Sequence, residues 1–311
     1  MQGYQSLRTA AAWRDTSSRG RILAHGEDNA RLLHAMCSNH IQGLNDGQGC
    51  YAFFLSAQGR IQTDAHILKC GASFLIDTEA STHALLLAHL DKFIIADDVT
   101  LEDLATSHYE IAFEGPGALD SAAAHSIPVP SEAYGVFPYQ GGYIARLNET
   151  GFDGLRFILP LSVPRPGFLA EYPEADLDAW ETVRREQGKP RFGVEILDRH
   201  LIQETRLLHG VHFKKGCYLG QEIVERVRAR GAVHKGLAAL TIETSEVPSV
   251  PADLCGGGDQ AGQLLGVSYS PAEGKCVGIA LLGIDYLKGG KHLTCNGHLA
   301  TLRASSAFAT L

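Results

Sequence analysis

The spacing of hydrophobic and polar residues in the first third of the chain alternates between strand-like and helix-like. Residues 21–25 predict a strand, and a helix follows with Leu32 and Met36 on its apolar face. Residues 51–56 and 60–68 then predict two strands joined by a short glycine-containing turn, which is the pattern of a β-hairpin. The chain therefore begins in the order strand, helix, strand, strand.

The next stretch continues the alternation. Residues 73–76 predict a strand, and a leucine-rich helix follows that extends to about Phe93. Asp77 and Thr78 carry side-chain oxygens of the kind that cap the first N–H groups of a helix, so we expect them at its start. Residues 94–101 predict a further strand.

The middle of the chain predicts strands again. A strand and a small-residue helix end near Ala124, and residues 127–140, rich in proline and aromatic residues, predict a surface loop. Residues 142–147 and 155–159 predict a second hairpin, and a helix through Trp180 follows. Because strands follow strands without helical crossovers, the pattern predicts an antiparallel α+β fold and not a doubly wound parallel sheet.

From Gly231 onward, short strands alternate with clusters of glycine, proline and serine. The predicted strands are residues 234–243, 263–269, 276–282, 291–294 and 298–303. Asn296-Gly297 is typical of a two-residue hairpin turn. Residues 246–258 predict a flexible insertion. Short strands at this spacing predict a small antiparallel barrel or sandwich.

Composition narrows the function classes. The chain has 311 residues and a net charge of −8, which argues against a broad surface for nucleic acid. No apolar run is long enough to span a membrane. The seven cysteines form no Cys-x-x-Cys pair, which argues against a disulfide scaffold or a zinc site and fits reduced thiols in the cytoplasm. The sequence lacks a P-loop, a dinucleotide-binding glycine motif and paired metal-ligating histidines, so we predict no bound metal.

Residues 213–222, Phe-Lys-Lys-Gly-Cys-Tyr-Leu-Gly-Gln-Glu, are the candidate centre of the chemistry. They open an amphipathic helix, with Gln221 and Glu222 in its first turn. The first N–H groups and the dipole of this helix would face Cys217, and Lys215 is two residues away. A thiol so placed ionises and reacts more readily. A lone cysteine is also often a small buried residue, so both interpretations stay open.

Residues 215–222 resemble the Lys-Gly-Cys-Tyr-x-Gly-Gln-Glu signature of the YgfZ-type folate-binding proteins, in which Gly216 and Gly220 are the motif glycines. That family belongs to the superfamily of the glycine-cleavage T-protein, an aminomethyltransferase. Further segments resemble the N-terminal half of the family: residues 4–8, 15–21, 55–61 and 90–99. The resemblance covers nearly the whole chain.

The resemblance implies two intertwined antiparallel α+β domains and a small C-terminal β-barrel around a central, folate-sized hole. The domains would be residues 1–25 with 105–230, which carry the motif, residues 26–104, which bind folate, and residues 231–311, the barrel. The implied ligand is tetrahydrofolate or a one-carbon derivative. The implied role is assembly or repair of iron–sulfur clusters, with client enzymes or thiol carriers as partners.

The resemblance also assigns roles to individual residues. Cys217 would be the functional thiol, and Lys215 would stabilise its thiolate. Asp64 matches the acidic residue that engages the folate amine in aminomethyltransferases, although its polar neighbours also fit a surface strand. Further candidate folate contacts are an aromatic ring, two residues at the helix start and two arginines suited to a glutamate tail: Tyr218, Gln221, Glu222, Arg226 and Arg230. These residues also fit a core aromatic, a helix cap and an exposed helix face.

One position departs from the aminomethyltransferases. They read Thr-Gly-Glu where this chain reads Thr150-Gly151-Phe152, so a carboxylate that contacts the pterin is missing. Three functions stay open: a folate-dependent iron–sulfur maintenance factor using Cys217, a one-carbon or aminomethyl transferase using Asp64, and a protein that only binds folate. The first is favoured over a turnover enzyme.

Overall fold

The computed structural model describes residues 1–231, 233–305 and 307–308. The chain divides into two compact units. The first unit comprises Met1–Asn148, Phe152–Asp176 and His209–Gln221, and the second comprises Glu149–Gly151, Leu177–Leu208 and Glu222–Leu311.

The first unit consists of two five-stranded antiparallel sheets with short helices. Its strands are β1 Ala12–Asp15, β2 Gly20–His25, β3 Gly49–Leu55, β4 Ile61–Cys70, β5 Ser73–Thr78, β6 Thr100–Asp103, β7 His108–Glu114, β8 Val136–Tyr139, β9 Gly142–Ala145 and β10 Gly154–Pro160. Its helices are α1 Tyr4–Thr9, α2 Asn29–Met36, α3 His83–Asp91 and α4 Ala118–Ala124. Sheet 1 has the order β3-β4-β5-β2-β6, and sheet 2 has the order β1-β7-β10-β9-β8.

Sheet 1 has one apolar face and one face that carries both apolar and polar side chains, because the two faces are buried against different neighbours. Successive strand residues point to opposite faces, so Ala65 and Ile67 of β4 pack with Leu33 of α2 and Leu86 of α3 in one core. On the opposite face, Leu68 packs in a second core that includes residues of sheet 2. The remaining part of that face carries polar side chains, which form the candidate site.

The second unit combines helices with a closed barrel. Its helices are α5 Leu177–Glu186, α6 Ile202–Thr205, α7 Gln221–Arg230 and α8 Ile284–Leu287, of which α7 begins at the last residue of the first unit. Its strands are β11 Lys235–Ile242, β12 Ala252–Gly256, β13 Asp259–Ser270, β14 Lys275–Gly283, β15 Leu293–Cys295 and β16 His298–Leu302. They close in the order β11-β14-β13-β12-β15-β16. The predicted antiparallel α+β fold with a C-terminal barrel is confirmed. The division into three domains stays a prediction.

The predicted cap of α3 is wrong. Asp77 and Thr78 belong to β5 and are buried, and the helix begins at His83 after a short 3-10 turn. Both carboxylate oxygens of Asp77 instead accept hydrogen bonds from Arg19. A partner 58 residues away in the sequence thus decides the position of a residue that local preference assigns to a helix start.

Three predicted boundaries also differ from the structure. Residues 94–101 form a strand only from Thr100, because the preceding acidic residues form a loop in which the Asp98 carboxylate accepts a hydrogen bond from the Glu27 backbone N–H. The predicted loop 127–140 contains β8, which pairs with β9 at a sheet edge where Pro138 is tolerated. The predicted insertion 246–258 contains β12, which pairs with β13 and β15.

Candidate functional site

A row of polar side chains crosses the mixed face of sheet 1. The strand register places His66 of β4 opposite Tyr51 of β3 and opposite Asp77 of β5, and it places Asp77 opposite Arg21 of β2. Asp64 lies on the same face of β4, two residues before His66, because side chains alternate along a strand. All five residues are buried. A sheet face that buries this many ionisable groups needs specific partners for them.

Asp64 is held in place from three directions. Its backbone carbonyl accepts hydrogen bonds from the hydroxyls of Thr78 (2.7 Å) and Thr63 (3.1 Å). Its carboxylate Oδ2 accepts a hydrogen bond of 2.5 Å from the Tyr51 hydroxyl. The residue is only 8% exposed. The structure therefore contradicts the interpretation of Asp64 as a surface strand residue.

Burial changes the acidity of Asp64. It raises the pKa of Asp64 to about 7, with the nearby Glu79 carboxylate acting in the same direction. The hydrogen bond from Tyr51 and the charge of Arg19 lower the pKa but do not outweigh burial. Near neutral pH, Asp64 can therefore both accept and donate a proton, as a residue that meets a ligand amine would need to do.

Asp77 lies on the same face in the opposite electrostatic situation. Burial alone would raise the pKa of Asp77, but the charge of Arg19 and the hydrogen bonds from His66 and Arg19 hold it well below its usual range. The Arg19 guanidinium binds Asp77 with two hydrogen bonds of 2.8 and 3.0 Å, and His66 Nδ1 lies 3.0 Å from Asp77 Oδ2. Two neighbouring carboxyl groups with pKa values shifted in opposite directions are typical of acid–base sites.

Aromatic rings adjoin the Asp64 side chain and His66. The Tyr51 ring lies 5.7 Å from the His66 ring and 5.3 Å from the His209 ring, measured between centroids. On its other side, His66 lies 5.7 Å from the ring of Tyr134. Tyr134 has a φ of 62°, a left-handed conformation that costs energy for a tyrosine and that is often found at functional sites. Flat rings of this kind can stack on a flat ligand.

Lys215 of the motif points into the protein. Its Nζ donates hydrogen bonds to the backbone carbonyls of His34, Cys37 (2.7 Å) and Asn39 (2.9 Å), and it lies 4.9 Å above the Tyr218 ring. His34 is in the last turn of α2, where the helix dipole favours a positive charge. Burial lowers the pKa of Lys215. Three carbonyls thus account for the three donors of the ammonium group.

The motif segment is fixed to α2 and to the β3–β4 hairpin. Ser38 Oγ donates to the Gly210 carbonyl (2.5 Å), and the Leu219 N–H donates to the Ala35 carbonyl (3.0 Å). Gly220 has a φ of 82°, and a Cβ there would lie 2.6 Å from the Ser56 carbonyl oxygen, so no other residue fits without rearrangement. A Cβ at Gly216 would meet only His34 Nε2, at 3.7 Å. The thiol of Cys217 lies on this fixed segment and is exposed.

The structure separates the predicted site residues into two groups. Those in the first unit are Asp64, Lys215, Gly216, Cys217, Tyr218, Gly220 and Gln221. Gln221 accepts a hydrogen bond from the Tyr218 N–H (3.3 Å), as expected for a helix cap. Glu222 and Arg226 belong to the second unit, are exposed and form an ion pair with each other, and Arg230 is exposed on the same helix. Their contacts with folate stay predictions.

Sequence reasoning missed Tyr51, His66, Tyr134 and His209. The first two carry a usable signal, because the alternation of the predicted hairpin places them on the Asp64 face. Tyr134 and His209 lie far from Asp64 in the sequence, and only the tertiary fold brings them to His66 and Tyr51.

Two searches of the described residues gave negative results. Across residues 1–231, 233–305 and 307–308, no group of three or more His, Cys, Asp or Glu side chains is arranged to hold a metal ion. Within the same part of the chain, every helix is too short or too polar to cross a membrane.

Comparison with known proteins gives consistent matches. Residues 2–147 match the family model of the GCVT N-terminal domain. The aminomethyltransferase of Rubrobacter xylanophilus is 27% identical over 89% of this chain and 77% of the relative. The tRNA-modifying protein YgfZ of Pectobacterium carotovorum is 25% identical over 74% of this chain and 70% of the relative.

A solved structure matches the whole fold. The glycine cleavage system aminomethyltransferase T from Bartonella henselae superimposes with a TM-score of 0.89 over 99% of this chain and 88% of that protein, at 19% identity. This likeness shows that the two chains share a fold.

Proposed function

We propose that this chain binds tetrahydrofolate or a one-carbon derivative at the face of sheet 1 that carries Asp64. The proposal starts from the superfamily of the glycine-cleavage T-protein, which the matched domain and the relatives support. We further propose that it supports the assembly or repair of iron–sulfur clusters in client enzymes through Cys217. The observation that carries the folate proposal is Asp64, a buried carboxyl group with a pKa near 7 beside aromatic rings.

The chemistry of a reduced pterin matches these groups. Its amines are hydrogen-bond donors, for which a carboxylate on a fixed strand is a suitable acceptor. Its fused rings are flat, and the Tyr51, His66 and Tyr134 rings offer stacking surfaces beside that carboxylate.

The position of Cys217 supports the second half of the proposal. The thiol is exposed, while Lys215 binds carbonyls at the end of α2 and Gly220 packs against the β3–β4 hairpin. An exposed thiol on a fixed segment is accessible to a large partner such as a client protein, and its position does not depend on a mobile loop. The role of Lys215 in stabilising the Cys217 thiolate stays a prediction.

An aminomethyltransferase is the second candidate. The name of the relative from Rubrobacter xylanophilus favours it. Phe152 argues against it, because the family resemblance implies that aminomethyltransferases carry a carboxylate at this position. The two candidates differ in turnover: a transferase would consume an aminomethyl donor, with little dependence on Cys217.

Calorimetry tests the folate proposal. Tetrahydrofolate would be titrated anaerobically, under reducing conditions, into the wild type, Asp64→Ala and Asp120→Ala, where Asp120 is an exposed carboxylate on α4. We expect saturable binding that Asp64→Ala weakens roughly tenfold or more, the size of one lost hydrogen bond to a charged group. Asp120→Ala should bind like the wild type. No binding by the wild type at concentrations approaching millimolar would refute the proposal.

Complementation tests the thiol. In cells lacking this protein, the activity of an iron–sulfur dehydratase would be measured after expression of the wild type, Cys217→Ser or Cys255→Ser. Cys255 is the matched control because it is also an exposed free thiol. We expect only Cys217→Ser to fail. Full activity with Cys217→Ser, together with folate binding, would favour a protein that only binds folate.

A further inference from the structure

Tyr51 and Asp64 form a hydrogen bond that does not follow from the strand register alone. Tyr51 lies directly opposite His66 on the neighbouring strand, yet its hydroxyl reaches diagonally to Asp64 Oδ2, at 2.5 Å. Diagonal neighbours on one sheet face are within reach of an aromatic side chain. The distance is in the range of O–H···O⁻ hydrogen bonds that involve an ionised acceptor.

The Tyr51 ring is fixed where it stands. It packs edge-on against Phe53 (5.1 Å between centroids) and lies between His66 and His209. The backbone carbonyl of Tyr51 accepts a hydrogen bond from Asn39 Nδ2 (2.9 Å). Asn39 Nδ2 also donates to the His209 carbonyl (3.0 Å). The segment that carries the Cys217 motif therefore contacts the ring whose hydroxyl binds Asp64.

We propose that Tyr51 is a positioning residue that sets the charge with which Asp64 meets a ligand. Its hydroxyl donates to the carboxylate, and a donor of this kind stabilises the ionised form relative to the protonated one. An ionised Asp64 accepts an N–H from a ligand amine, whereas a protonated Asp64 would present a donor in place of one acceptor. This inference rests on the proposed folate site and names the residue that tunes it.

The other groups around Asp64 do not replace this hydroxyl. Glu79, just after β5, disfavours the ionised form, and Arg19, just before β2, favours it. Arg19 already binds both oxygens of Asp77 and Oε1 of Glu79. The imidazole of His66 is bound to Asp77. Among these neighbours, Tyr51 is therefore the one whose loss should raise the pKa of the buried Asp64 most.

The matched test compares two tyrosines that both contact His66. In Tyr51→Phe the hydroxyl bound to Asp64 is lost, whereas in Tyr134→Phe a hydroxyl is lost on the other side of His66. The Asp64 carboxyl would be followed by NMR with ¹³C-labelled aspartate and assigned with Asp64→Asn. We expect Tyr51→Phe to move the Asp64 titration to higher pH by about one unit, a size typical of one lost hydrogen bond. Tyr134→Phe should leave it in place.

A second substitution retains the hydroxyl and should move the Asp64 titration in the opposite direction. 3-Fluorotyrosine at position 51 is a more acidic phenol and a stronger donor, so the Asp64 titration should move to lower pH. Tyr51→Phe and the fluorinated protein should move the pH midpoint of tetrahydrofolate affinity in the same directions as the carboxyl titration. An Asp64 titration that is unchanged in both proteins would overturn the inference, as would an equal change in Tyr134→Phe.

The titration separates this inference from the proposed function, because it needs no ligand. If Tyr51→Phe moves the Asp64 titration but the wild type binds no tetrahydrofolate at any pH, the folate proposal fails and the pair stands. If the wild type binds tetrahydrofolate and Tyr51→Phe changes neither the titration nor the affinity, the inference fails and the folate proposal stands.

Discussion

At the scale of single residues, the motif lysine and the motif cysteine face in different directions. The Lys215 ammonium is buried against backbone carbonyls at the end of α2, while the Cys217 thiol, two residues later, is exposed. The contacts that the structure shows for Lys215 are those of an anchor. These contacts fix the segment that carries the thiol.

Removing the anchor should cost stability. Lys215→Met leaves buried carbonyls without their donor, so we expect the free energy of unfolding to fall by about 2–3 kcal/mol in urea denaturation. Lys214→Met, a change at the exposed neighbouring lysine, should alter it by less than about 0.5 kcal/mol. If Lys215→Met instead slows alkylation of Cys217 tenfold without loss of stability, stabilisation of the thiolate is the correct role.

Asp64 should give the protein a measurable pH dependence. Its pKa is raised to about 7 in the folded protein, above the value of about 3.9 expected in the unfolded chain. The folded state therefore holds the proton more tightly, and its contribution to stability falls as the pH rises from about 4 to about 7 and is constant above that. Asp64→Asn, which does not titrate, should lack this decrease.

Urea denaturation at pH 5 and pH 7.5 measures this contribution. Relative to Asp64→Asn, the wild type should lose about 1–3 kcal/mol of unfolding free energy between the two pH values. Asp120→Asn serves as the exposed control and should follow the wild type. Parallel pH profiles for the wild type and Asp64→Asn would show that Asp64 titrates alike in both states.

At the scale of secondary structure, ionic contacts hold the polar part of sheet 1 together. Arg19, which precedes β2, binds Asp77 of β5, and both side chains are buried. Arg21 of β2 approaches Glu110 of β7, so the charged groups continue from sheet 1 to sheet 2. A buried charge that loses its partner is costly, which makes this row sensitive to substitution.

Two arginine–aspartate pairs allow a direct comparison. Arg19→Met leaves the buried Asp77 without its guanidinium, and we expect a loss of about 3–5 kcal/mol of unfolding free energy. Arg165→Met removes the partner of Asp15 in a pair that is about half exposed, and we expect a loss of less than 1 kcal/mol. If chemical denaturation shows equal losses of unfolding free energy for Arg19→Met and Arg165→Met, burial does not determine how much such a pair contributes.

The elements that sequence patterns predicted correctly are those with local signals. Strand-like runs joined by turn residues located both hairpins, and the Asn296-Gly297 turn located β15 and β16. Local signals failed for Asp77, whose partner Arg19 is distant in sequence, and for β8, whose Pro138 is typical of loops. The family resemblance predicted Asp64 as a site residue. Its burial and its hydrogen bond to Tyr51 could not be predicted in this way, because they depend on how the strands pair.

At the scale of the whole chain, the fold determines which thiols can react. Cys217 and Cys255 are exposed, whereas Cys37, Cys276 and Cys295 are buried. Burial raises the pKa of the Cys37 thiol to about 11, which further limits its reactivity. Cys50 and Cys70 have intermediate exposure, so the thiols differ in how easily a reagent can reach them.

Alkylation under native conditions tests this difference in access. We expect Cys217 and Cys255 to react with iodoacetamide at least tenfold faster than the three buried thiols, because the thiolate must be accessible to react. Peptide mass spectrometry after timed quenching identifies each site. The difference should vanish in urea, and a fast-reacting Cys276 in the native protein would contradict the barrel packing.

The strand order also limits how the protein can associate with other chains. The barrel is closed, so its strands are paired around the ring, whereas the two open sheets end in edge strands. One of the two edges of sheet 1, β6, is four residues long and includes Glu102 and Asp103, and one of the two edges of sheet 2, β8, is equally short and contains Pro138. Short edges with charges or proline resist strand-to-strand pairing. The β6 and β8 edges are therefore poor templates for strand addition by another chain.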